Sequence, residues 1–110
     1  MSMDFTASKQ VNDPKYGPMF ESVFTWDERD IEQGGLFDLN VSNANVYAFQ
    51  EMVGLNFEEG ADILQTEAAM VKVIDAPRGL YDSRVIRYAT RILMMTTEGK
   101  HRGATHITCA

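Results

Sequence analysis

Four arginines carry the clearest recognition chemistry in the chain. Arg84, Arg87 and Arg91 recur at spacings of three and four, with Arg78 just upstream. That spacing sets the three on one side of a helix, and guanidinium groups grip carboxylate and phosphate through paired N–H donors. Such a stripe is either an anion or partner contact, or a solvated face pairing with the chain's own acids at 27–32 or 58–62. An exposed ion pair adds only about 0 to 1 kcal/mol, so internal pairing would orient the parts more than stabilise them.

A second group is His101, His106 and Cys109, all able to bind a transition metal. Their H-x4-H-x2-C spacing matches no strong zinc pattern, and if the segment were one strand the two histidines would point to opposite faces. The reading is a surface turn followed by an edge strand, with no metal and no cofactor. Cys109 with His106, or Ser83 with a histidine and an acid, could be assembled into a nucleophilic site on paper. No nucleophile elbow, phosphate-cradling glycine loop or helical zinc motif accompanies them, so the expectation is a protein that is not an enzyme.

The third group is acidic and aromatic. Trp26 and Phe37 flank Asp27, Glu28, Asp30 and Glu32, and Glu58, Glu59 and Asp62 follow further on. Exposed tryptophans are common interface anchors. The competing reading makes Phe20, Phe24 and Phe37 core and the acids the wet side of a short helix, several of them as caps. Met52, Met70, Met94 and Met95 read as adaptable core filler.

The elements that would position these groups follow from capping and periodicity. Residues 1–18, with turn formers at Asn12-Asp13-Pro14 and Gly17-Pro18, read as a flexible N-terminal arm. Residues 19–110 form a single α+β domain, with three to four helices on a small antiparallel sheet. A strand is expected at 19–24. Thr25-Trp26-Asp27-Glu28 matches a capping box, opening a helix that ends at Gly34-Gly35. Residues 36–39 could make a second strand. Further helices are expected at 44–53, 61–74 and 81–95, with a polar turn at 98–103. A strand at 105–109 could pair with the one at 19–24.

Composition limits the function classes. The chain has 110 residues, 45% hydrophobic and 24% charged, which fits one folded domain. No apolar run approaches the ~20 residues of a membrane span, no secretory leader is evident, and the single cysteine points to a reducing, cytoplasmic setting. The net charge of −6 conceals a split: thirteen acids against three bases in residues 1–70, and three acids against seven bases in 71–110. Net acidity argues against direct nucleic-acid binding and favours a basic protein partner.

Glu21-Ser22-Val23-Phe24-Thr25, followed by Asp30-Ile31-Glu32-Gln33-Gly34-Gly35-Leu36-Phe37-Asp38-Leu39, resembles the opening of a family of small phage and plasmid proteins of unknown activity. Gly79-Leu80-Tyr81-Asp82 and the arginine-bearing helix are similar to that family's long helix. The resemblance implies an accessory protein of a mobile element, working in the cytoplasm of a bacterial host. It brings no functional residue with it. The expectation is an interaction protein that inhibits or modulates a host protein, for example a nucleic-acid-handling or defence protein. The contact residues would be Trp26, Asp27, Glu28, Asp30, Glu32, Glu58, Glu59 and Asp62. The alternative is a homo-oligomer, a homodimer at its simplest, that binds an anion or small ligand through Arg84, Arg87 and Arg91.

Overall fold

The computed structural model describes residues 1–110. Its longest strand lies where a flexible arm was expected: β1, Ser2–Asp13, is the central strand of the sheet. Met3, Phe5 and Ala7 alternate inward and are buried, so the period of two was present, but Phe5 is its one strong signal between a methionine and an alanine. The turn formers make the tip of a hairpin. Asp13 Oδ1 accepts from the amides of Lys15 and Tyr16, Gly17 takes φ 77°, and β2, Gly17–Ser22, returns antiparallel with Gln10 opposite Phe20.

The sheet has five strands, all antiparallel, in the order β2-β1-β5-β4, with β3, Asn40–Ser42, pairing with the start of β1. Strand β5, His106–Cys109, pairs with β1 and with the two-residue β4, Ala61–Asp62. It does not pair with β2, because β1 lies between them. The segment at 36–39 is not a strand; the strand begins one residue later.

Four helices pack on this sheet: α1 (Trp26–Arg29), α2 (Asn43–Val53), α3 (Ile63–Ile74) and α4 (Ser83–His101). A 3₁₀ turn, Ile31–Gln33, follows α1. The expected α+β class therefore holds. Asp62 and Asp82 cap α3 and α4 by accepting two backbone amides each. Helix α4 runs through the expected polar turn because Met95, Thr96 and Gly99 continue its buried stripe. At Gly99 α4 lies close against the sheet: a Cβ there would lie 2.6 Å from that of Ala7.

The buried apolar residues form one cluster. Phe5 meets Phe57 edge-on at 5.3 Å, and Phe49 meets Tyr88 at 5.8 Å, joining β1, α2 and α4 through the loop before β4. The outer face of the sheet is polar, with hydroxyl pairs Thr6–Ser22 at 2.7 Å and Ser8–Thr108 at 2.9 Å. No helix is long and apolar enough to cross a membrane.

Candidate partner-binding site

The segment from Thr25 to Leu39 folds against the sheet edge through a small number of contacts. Its capping box is formed in both directions: Glu28 N donates to Thr25 Oγ1 at 3.3 Å and Thr25 N donates to Glu28 Oε1 at 2.8 Å. Gly34 takes the left-handed conformation, φ 81°, that ends the 3₁₀ turn. Gly35 has a different task. A Cβ there would lie 2.5 Å from the carbonyl oxygens of Asp27 and Glu28, so only glycine lets the chain cross back over α1. The amide of Phe37 then donates to Glu28 O at 2.9 Å, and the Phe37 ring stacks on Phe24 at 4.2 Å.

Arg102, at the end of α4, holds this segment to the body. Its guanidinium lies 5.1 Å from the Phe24 ring centre and 5.8 Å from that of Phe37. It donates to Glu28 Oε1 at 2.7 Å, pairs with Glu28 Oε2 at 2.5 Å, and reaches Glu98 at 3.1 Å. The Arg102 guanidinium, helped by the Thr25 amide, holds the Glu28 carboxyl at about 2, well below the ordinary 4.5. Glu28, expected among the contact residues, is thus occupied by its own chain.

The rest of the segment surrounds an acidic cleft of about 370 Å³, bounded by Asp4 of β1, Asp30 and Glu32 of the 3₁₀ turn, and Asp38. Arg29 is the one cation in its wall, and Trp26 and Ile31 form its apolar rim. Trp26 is 74% exposed and Ile31 58%. Two of the carboxylates are fixed locally: Asp4 Oδ1 accepts from Asn40 Nδ2 at 2.8 Å, and Asp30 Oδ1 from the Glu32 amide at 2.9 Å. None of the four pairs with a cation, since the chain's only ion pairs are Lys100–Glu67, Arg102–Glu28 and Arg102–Glu98. Three carboxylates in excess over one guanidinium give the cleft a net negative lining beside an exposed indole, a chemistry complementary to a cationic group.

The expected contact set is divided by the fold. Trp26, Asp30 and Glu32 meet at the cleft, while Asp27 lies beside Gly34 and Leu36 in a separate shallow depression. Glu58, Glu59 and Asp62 lie near the β4 edge, on the far side of β1 and β5. There Asp62 caps α3 and Glu58 accepts from Gln50 Nε2 at 3.2 Å. Asp4 and Asp38 were not singled out from sequence. Asp38 is the one polar residue of the otherwise apolar Leu36-Phe37-Asp38-Leu39, but Asp4 could be found only once residues 1–18 were read as a strand.

Arg78, Arg84 and Arg87 are exposed and Arg91 is half-buried. None of them forms an ion pair, so the arginine stripe does not neutralise the acidic segments. His101 ends α4 rather than lying on a strand with His106. His106 Nδ1 is 2.8 Å from Thr105 Oγ1, and its ring lies 4.9 Å from Phe20. Cys109 is buried, with its thiol 3.7 Å from Met3 Sδ. Burial first, and the charge of Glu58 second, push that thiol up to about 12, so it is not a thiolate at neutral pH. Along β5, His106 and Cys109 face opposite sides of the sheet. No three His, Cys, Asp or Glu side chains are grouped to hold a metal ion. Phe20, core in the competing reading, is a surface residue, as are Met52 and Met94, expected as core filler, whereas Phe24, Met70 and Met95 are buried.

Comparison with known protein families, with characterised proteins and with solved structures yields no match, so the site is defined by its own geometry.

Proposed function

We propose that this protein is a non-enzymatic interaction protein that captures a basic surface of another protein through the acidic cleft around Trp26. The observation that carries the reading is the absence of ion pairing: Asp4, Asp30, Glu32 and Asp38 line one concavity and none forms an ion pair within its own chain. A lysine or arginine side chain entering the cleft would meet a lining of four carboxylates and one guanidinium, with an exposed indole at the rim. Basic surfaces that otherwise meet phosphate have this complementary chemistry, which supports a nucleic-acid-handling or defence protein as the target. With the family resemblance of residues 21–39, the reading extends to a phage- or plasmid-encoded protein that inhibits or modulates its bacterial host.

The test is affinity capture from bacterial lysate with the wild-type chain and with the triple variant Asp30→Lys, Glu32→Lys, Asp38→Lys. The expected result is a basic protein retained by the wild type, released by salt, and lost from the variant while its circular dichroism is unchanged. Trp26 is the only tryptophan, so its emission should shift when the captured protein is added back. Equal retention by both chains, or unchanged Trp26 emission, would overturn the proposal.

A second reading is favoured by one observation: Arg84, Arg87 and Arg91 project from α4 without any ion pair. They would then bind phosphate or a small anionic ligand in a homo-oligomer. A rise in thermal midpoint with phosphate, abolished by Arg87→Gln, supports that reading; indifference to phosphate and sulfate refutes it.

A further inference from the structure

Helix α3 has two apolar faces, and the core needs only one. Ile63, Thr66, Met70 and Val73 face inward and are buried. The opposite side carries Leu64, Ala68 and Val71, with Leu64 62% and Val71 40% exposed. These three line an open groove of about 980 Å³ whose other wall is Leu93 and Thr97 of α4.

The spacing on that outer side is informative. Leu64, Ala68, Val71 and Asp75 follow one another at intervals of four, three and four, the repeat that keeps one seam facing a second helix. Glu67 flanks the seam on one side and Lys72 on the other. In two helices lying side by side in the same direction, a residue on the first flank meets the residue five positions further along on the second flank of its neighbour. That relation joins Glu67 to Lys72. In an antiparallel pair like flanks would meet and the two charges would not. Lys72 has no ion pair within its own chain, and Glu67 uses only Oε2 for Lys100, at 2.6 Å.

We infer that the outer face of α3 is a docking surface for a second copy of this chain, packed parallel about a two-fold axis, with Glu67 of each copy paired to Lys72 of the other. Charge complementarity selects this occupant. Two molecules of net charge −6 repel one another over most of their surfaces, and here acid and base alternate so that the patch complements itself. Ala68 at the centre lets the two backbones approach closely. Asp75, which ends α3, would set two carboxylates near each other and so limits the seam to two turns, which makes the association concentration-dependent. The surface shares no residue with the acidic cleft and stands independently of the function proposed above.

The experiment is sedimentation velocity on the full chain from nanomolar to hundreds of micromolar. The wild type should pass from monomer to dimer, and Ala68→Arg should remain monomeric with unchanged circular dichroism. Lys72→Glu and Glu67→Lys should each weaken self-association by about tenfold or more, because like charges then meet across the seam. Mixed in equal amounts, the two variants should form a heterodimer in which both pairs are restored. A wild type that stays monomeric throughout, in which case the groove serves a different protein, would overturn the inference. So would a dimer indifferent to Ala68→Arg, or single variants that fail to recover on mixing.

Discussion

Glu28 and Arg102 are 74 residues apart in sequence, yet their side chains meet at 2.7 Å. Glu28 also closes the capping box of α1, so one carboxylate ties a short helix both to its own start and to the end of α4. A four-residue helix cannot persist alone, and the placement of the cleft residues after it depends on this anchor. The Glu28 carboxyl is held at about 2 in the folded chain against an ordinary 4.5. As pH falls through that interval, the unfolded chain takes up a proton that the folded chain still refuses. The stabilisation is therefore complete above 4.5 and disappears as pH approaches 2. Glu28→Gln keeps a capping residue but removes the charge. Its thermal midpoint should lie below that of the wild type near neutrality, and the two should converge as pH falls through the same window. A constant gap would show that the pair acts through packing on Phe24 and Phe37 and not through charge.

Among the elements, the contact of α4 with β1 leaves no room for a side-chain carbon at Gly99. Glycine inside a helix costs about 1 kcal/mol relative to alanine, so Gly99 would be a poor choice if helix propensity decided it. A Cβ at 99 would instead sit 2.6 Å from Ala7 Cβ and 3.2 Å from Ala104 Cβ, both fixed directly to backbone. Overpacking of this kind costs about 1–3 kcal/mol, enough to cancel the propensity gain. Gly99→Ala should lower stability to denaturant, and Ala7→Gly should restore part of it in that background although it destabilises the wild type. Additive effects in this double-mutant cycle would refute the contact. The same elements show what could be read from sequence. The capping box at Thr25, the stop at Gly54, and helices α2 to α4 were legible because they rest on local chemistry. Strand β1 was not, because only Phe5 among its inward residues Met3, Phe5 and Ala7 is a strong strand former, and its neighbours β3 and β5 lie far along the chain. The cleft was legible in part for the same reason: Trp26, Asp30 and Glu32 are local, while Asp4 reaches them only through sheet pairing.

Across the whole molecule, the separation of charge could have been an internal device, with the basic last third folded onto the acidic remainder. Two ion pairs, Lys100–Glu67 and Arg102–Glu28, are what this produces; the third, Arg102–Glu98, joins two residues of the basic part itself. Arg78, Arg84, Arg87 and Arg91 remain unpaired, and so do all four carboxylates of the cleft. The chain extends 48 Å along its long axis and 30 Å across, so at low ionic strength, where the Debye length is about 30 Å at 0.01 M salt, most like charges lie within about one screening length of one another. In such a molecule repulsion among acids outweighs a few exposed pairs, each worth about 0 to 1 kcal/mol. Added sodium chloride should therefore raise the thermal midpoint between low and physiological ionic strength, since screening relieves more repulsion than attraction. The triple reversal Asp30→Lys, Glu32→Lys, Asp38→Lys changes the net charge from −6 to 0 and should flatten that rise. If salt instead lowers the wild-type midpoint, attraction between the two parts dominates, and carboxylates held inward by their own arginines cannot also be the surface offered to a basic protein.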